Sequence, residues 1–282
     1  DEGVPHLQTV EKLRSLSFNG SSGITNLAAP ALAEMTNLTH LSLPYTRFTD
    51  EGVAQLTPLE KLRLLDLRGC TVTDEVLKTA ASFPRLVSLK LRSSSVTDAG
   101  LKHLSNQKDL RGLHIEDANV SDQGLMQIQG LTNLDDLNLL RVPIGDEGLA
   151  ALRGMTKMRQ LNLRGTYVTD EGLQHLSDMQ QLAKLDLSET GVQGPGLAAL
   201  TEAKLKWLNL WNSFADDSAM EYLAQMDELE YLNLDNTMIS DEGLIQLNGL
   251  KNLKTLSVTQ TDVSEETVKA LEEANPKLKV RK

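Results

Sequence analysis

Residues 158–181 read MRQLNLRGTYVTDEGLQHLSDMQQ, and this stretch decides the fold. Its first half alternates apolar and polar residues with a period of two. Leu161 and Leu163 therefore point one way and Gln160, Asn162 and Arg164 the other, as in a short strand with one buried side. The second half sets Val168, Leu173, Leu176 and Met179 at helical spacing behind Thr169-Asp170, which predicts a helix start whose free amides are capped by a side-chain oxygen. Neither element can bury its apolar side alone.

The same pattern returns along the chain. Leu-x-x-Leu-x-Leu opens at Leu13, Leu38, Leu62, Leu86, Leu110, Leu134, Met158 (standing for leucine), Leu182, Leu205, Leu229 and Leu253, with a last fragment at Leu278. The spacing is 24 almost throughout, with 25 for the first and last units and 23 between Leu182 and Leu205. Such units must stack on one another, which predicts an α/β solenoid with a parallel sheet on one face and helices on the other. A column of aspartates, Asp1, Asp50, Asp74, Asp98, Asp122, Asp146, Asp170, Asp217 and Asp241, falls at one offset, where a carboxylate also favours the positive end of a helix dipole. Gly194 followed by Pro195 breaks that column, and the expectation is a local change of curvature beside the next repeat. Glycines two places after the cap, such as Gly100, Gly124 and Gly172, suggest backbones too close for a side chain.

With these columns in place, the chain resembles a leucine-rich repeat protein over essentially its whole length. Its consensus, L-x-x-L-x-L-x-x-[TCS]-x-V-T-D-x-G-L-x-x-L, is similar to the cysteine-containing subclass found in substrate-recognising subunits of ubiquitin ligases, and to tandem repeats of bacterial proteins. The resemblance implies a horseshoe solenoid of about eleven full repeats, with the parallel sheet concave and the helices convex, that works by recognising another macromolecule. Threonine has largely replaced cysteine in the column Thr46, Cys70, Ser94, Thr166, Thr190, Ser213, Thr237 and Thr261, short polar groups expected to hydrogen-bond along the turn. No F-box-like segment precedes the repeats, which leaves a ligase role unsupported.

The expected organisation is one repeat domain over 1–282: residues 1–12 as the second half of a truncated repeat, 13–277 as eleven repeats and 278–282 as a terminal edge strand. Asp1-Glu2-Gly3-Val4 aligns with Asp50-Glu51-Gly52-Val53 in mid-repeat, so upstream sequence is expected. With 40% hydrophobic and 4% aromatic residues, the interior must be mostly leucine. No apolar run reaches membrane-spanning length. The single Cys70 excludes an internal disulfide and leans towards a reducing compartment. A net charge of −11 argues against nucleic acid, which is bound mainly through basic contacts to phosphate.

The sequence offers little for catalysis. His6, His103 and His175 share a convex position, and His40 and His114 face the sheet's open side without the serine and carboxylate a nucleophile needs. No phosphate loop or dinucleotide fingerprint occurs, so no enzyme, cofactor or metal is expected. What remains is the sheet face. Trp207 and Trp211 point outward from one strand with Asn209 between them. Tyr231, Asn233 and Asp235 lie on the next, and Phe214 follows in the turn. Tryptophan and tyrosine are enriched among binding hot spots, so these seven residues are the expected site for a protein partner. The rival account is that the rings merely cover one another. A glycan stacked on the indoles, and a structural role with self-association through the open ends, are the alternatives. Arg68, Lys90 and Arg92 form a second, basic candidate patch, for which pairing with Asp66 and Glu116 is the competing explanation.

Overall fold

The computed structural model describes residues 1–282. They form two compact units, Asp1–Asn138 and Leu139–Lys282, built from the same repeat. In the first unit β1 (Ser15–Ser17), β2 (His40–Ser42), β3 (Leu64–Arg68), β4 (Ser88–Arg92), β5 (Gly112–Glu116) and β6 (Asp136–Asn138) pair in parallel in sequence order. In the second, β7 (Gln160–Asn162), β8 (Lys184–Asp186), β9 (Trp207–Asn209), β10 (Tyr231–Asn233), β11 (Thr255–Ser257) and β12 (Lys279–Arg281) do the same. The architecture is a leucine-rich-repeat α/β solenoid. Like residues align, as in Leu65↔Leu89 and Leu185↔Leu208, because a slip of one would turn every leucine outward. Leu161, Leu163, Leu173 and Leu176 are buried, and Met158 fills a leucine's place in the core. Each such side chain contributes about 1.5–3 kcal/mol.

After every strand that is followed by another, except β4, the chain turns through a left-handed residue: Gly20, Tyr45, Gly69, Asp117, Arg141, Gly165, Glu189, Asn212, Asn236 and Gln260. The threonine column closes this turn within its own repeat, in contrast to the expected run along the turns. Thr166 Oγ1 donates to the Leu163 carbonyl at 2.7 Å and Thr190 Oγ1 to that of Leu187 at 2.6 Å. Cys70 is the exception, its Sγ donating to the Leu43 carbonyl of the preceding repeat at 3.1 Å. Ser94 is exposed, and the neighbouring Ser93 hydroxyl bonds the Val72 carbonyl at 2.6 Å instead.

The side-chain bonds that recur between successive repeats belong mainly to the aspartates, which corrects their reading as caps. Thr169 caps its own helix by accepting from the Glu171 amide. Asp146 of the preceding repeat accepts from the Thr169 amide at 2.8 Å and its hydroxyl at 2.6 Å. Asp74 with Thr97, Asp98 with Ser121, and Asp217 with Ser240 repeat the arrangement. The conserved-offset glycines make room for these carboxylates: a Cβ on Gly124 would lie 2.0 Å from Asp98 Oδ1, and one on Gly172 2.3 Å from Asp146 Oδ1.

The helices are short, such as Asp170–Leu173 running into the 3-10 turn Gln174–Leu176, and the longest is Glu265–Ala274. The repeat that lacks one residue has a 3-10 helix, Pro195–Leu200, and its strand keeps full register, Lys184↔Trp207 to Asp186↔Asn209. The deletion is thus absorbed in the return segment before Leu205, and the pairing of the strands beside it is undisturbed. At the end of the chain Val280, rather than Arg281, pairs with Leu256, so the terminal strand is shifted by one from a motif beginning at Leu278.

Candidate functional site: the sheet face of the second unit

Strand alternation turns Trp207, Asn209 and Trp211 to the open face, with Tyr231 directly across from Trp207 on β10. All four are half-buried. The Trp207 and Tyr231 rings stack 5.2 Å apart at 7°. On the opposite side, from β8, Lys184 Nζ lies 4.7 Å from the Trp207 ring centroid. Both faces of this indole are therefore covered, and what it presents outward is its edge. Trp211 has one face under the Arg164 guanidinium, 4.9 Å away, which reaches across the buried Ser188. Arg164 Nε also donates to Glu189 Oε2 at 2.6 Å.

A line of carboxamides runs between the rings. Asn162, Asn209 and Asn233 each accept, through Oδ1, the amide two residues on, at 2.9, 3.1 and 2.8 Å. That bond spends the oxygen and leaves the amino group as an outward donor. Asp186 interrupts the row, bonded to the Ser188 amide and hydroxyl. Asp235 Oδ1 accepts from the Thr259 amide at 2.6 Å.

Phe214 does not join this cluster. It lies beyond the turn, exposed, and lines an open cleft of ≈ 470 Å³ with Tyr167, Thr166, Glu189, Thr190, Gly191 and Asn212. Sequence reasoning passed over Tyr167, and also Lys184 and Arg164 as partners of the indoles. The column alignment could have found Tyr167, because Pro143, Tyr167, Gly191, Phe214 and Met238 occupy one offset in successive repeats.

The basic candidates lie in the first unit. Arg68 forks onto Asp66, Nε to Oδ1 at 3.0 Å and Nη2 to Oδ2 at 2.8 Å, with Glu116 Oε1 at 3.9 Å. The Asp66 hydrogen bond holds this guanidinium still more firmly protonated than usual. Arg92 bonds Asp117 at 2.5 Å and the Tyr45 hydroxyl at 3.3 Å. Lys90 is half-buried between them in sequence. His114 Nε2 is 2.9 Å from Asp136 Oδ2, and Asn138 donates to Glu116. Much of the charge on this face is thus satisfied internally. Burial pushes the Cys70 thiol up, which disfavours the thiolate a reactive cysteine needs. No helix is long and apolar enough to cross a membrane.

A family model described as a leucine-rich repeat region matches residues 1–280. No curated protein sequence matches the chain. Among solved structures, an internalin (inlF) from Listeria monocytogenes is similar at 21% identity and TM-score 0.64, over 99% of this chain and 93% of that one. Internalin C2 of the same organism is similar at 23% and 0.57, over 71% and 82%. The mouse RP105/MD-1 complex gives 21% and 0.70, over 95% of this chain and 47% of that chain.

Proposed function

The chain belongs to the leucine-rich repeat family, and from that premise we propose that it is a binding module for another protein, acting without catalysis through the sheet face of its second unit. The observation that carries this reading is the row of ring edges and amino groups around Trp207, Asn209, Trp211, Tyr231 and Asn233. The oxygens of Asn162, Asn209 and Asn233 are taken by backbone amides, and no hydrogen bond within the protein engages their amino groups or either indole N–H, which leaves these donors to a partner. An edge-on ring with a free N–H matches the carbonyls and side chains of a protein surface. A sugar ring would want an open indole face, and Trp207 has none.

Both tryptophans of the chain belong to this patch, so intrinsic fluorescence reports on it directly. A protein partner is expected to change that emission, while neutral mono- and oligosaccharides leave it unchanged. Trp207→Ala is expected to weaken the partner by about 30-fold, the effect of losing an interface hot spot of about 2 kcal/mol. Retention of full affinity by the Trp207→Ala/Trp211→Ala variant, with its fold intact by circular dichroism, would refute the assignment.

A further inference from the structure

We propose that the cleft between Tyr167 and Phe214 seats a cationic side chain, an arginine guanidinium, of the protein partner. This builds on the reading that the second unit binds a protein, but it concerns a separate place at the strand ends and stands on its own geometry.

The cleft arises from one missing side chain. Tyr167, Gly191 and Phe214 hold the same offset in three successive repeats, and the backbone there is fixed by bonds such as Tyr167 N–H to the Ile144 carbonyl and Gly191 N–H to the Val168 carbonyl, both at about 3 Å. Two strand spacings separate the aromatic positions, about 9–10 Å. A planar group sandwiched between two rings needs about 7 Å, two contacts of about 3.5 Å. The backbone spacing across Gly191 is therefore large enough to admit one flat group between the two aromatic positions. Tyr167 is 71% exposed and Phe214 59%, so both rings are open to solvent where they line the cleft.

The charge of the cleft selects the kind of group. Its lining contains one carboxylate, Glu189, and no lysine or arginine. One Glu189 oxygen holds Arg164, and the other has no partner within the protein. The hydroxyls of Thr166 and Thr190, which also line it, donate to the Leu163 and Leu187 carbonyls. Two exposed aromatic rings and the unshared oxygen of Glu189 line the cleft, and a cation is attracted by the ring quadrupoles and by that oxygen together. A guanidinium satisfies the shape as well as the charge, because it is planar and can stack while its N–H groups reach the carboxylate. In the first unit the same column holds Arg47, Thr71, Ser95 and Asn119, with no aromatic residue among them.

The test uses the whole chain and N-acetyl-arginine amide as probe, with N-acetyl-citrulline amide as its uncharged isostere. Aromatic 13C-labelled NMR is expected to show saturable shifts of the Tyr167 and Phe214 ring signals with the arginine compound in the millimolar range, at least about fivefold tighter than with citrulline. Tyr167→Ala and Phe214→Ala should each remove most of the response. Glu189→Gln should narrow the preference for arginine over citrulline, and Tyr45→Ala, in the other unit, should change nothing. Equal responses to the two compounds, or none at Tyr167 and Phe214, would overturn the proposal. If the arginine response is absent while Trp207→Ala still abolishes partner binding, the cleft assignment falls alone and the sheet-face reading stands.

Discussion

Asp98 and Gly124 illustrate what a single position does here. The carboxylate accepts from the Ser121 amide at 2.7 Å and its hydroxyl at 2.6 Å, and it occupies the space that a Cβ on Gly124 would take. Gly124→Ala is thus expected to expel the carboxylate and cost about 2–3 kcal/mol. Asp98→Gly should cost about 1–3 kcal/mol through its lost hydrogen bonds. The protein already contains the inverse pair: Gly194 replaces the aspartate, and Ala219 stands where the glycine would be. The double variant Asp98→Gly/Gly124→Ala should therefore be more stable than the sum of the singles by about 1–2 kcal/mol in urea unfolding. Strict additivity would contradict this account. Asp241 adds a pH signature. The Ser264 amide bond holds its carboxyl below the usual aspartate range, so the stability it supplies is complete above its unfolded pKa and is lost as pH falls through the lower, folded value. Asp241→Asn should lose less stability between pH 5 and about pH 2 than the wild type; identical acid profiles would remove Asp241 from the ladder. Both columns were visible in the sequence, but their linkage was not, because an acidic residue at a helix start is equally well accounted for as a cap.

At the level of the strand and its turn, the period-two pattern of Leu161 and Leu163 was enough to place β7 and to orient its side chains, since burial of alternate residues is a local property. The return segments were less legible. Short α and 3-10 turns carry the same apolar spacing as longer helices, and only the stacking of neighbours limits Asp170–Leu173 to one turn. The aromatic patch was legible as residue type and position; the covering of its rings was not. Lys184 packs over Trp207, and Arg164 reaches Trp211 across two repeats because the intervening residue is the small Ser188. Contacts two repeats apart lie outside a one-repeat alignment. The same holds for Phe214, whose partner in the cleft is Tyr167 and not Trp211.

Across whole units, the contacts of a repeat are chiefly with the repeats on either side, so stability should vary along the chain instead of being shared through one core. In the first unit β4 lies between β3 and β5, with five residues aligned on each side and Leu89 and Leu91 fully buried. β1 has three residues, two of them exposed, and pairs with β2 alone. In the second unit β9 is enclosed by β8 and β10, whereas β12 pairs only with β11 and is largely exposed. Native-state hydrogen exchange should therefore rank the amides of β4 above those of β1 and those of β9 above those of β12, with protection declining stepwise through the strands between. A protein held by a single cooperative core would instead exchange its central amides at one common free energy. Equal protection in β4 and β1, or in β9 and β12, would contradict the nearest-neighbour account. The proposed partner supplies a second reading of the same experiment: binding at Trp207 and the Tyr167–Phe214 cleft should slow exchange first in β8 to β10, because those strands carry the contacts and stabilisation in a repeat stack spreads outward from where it is applied.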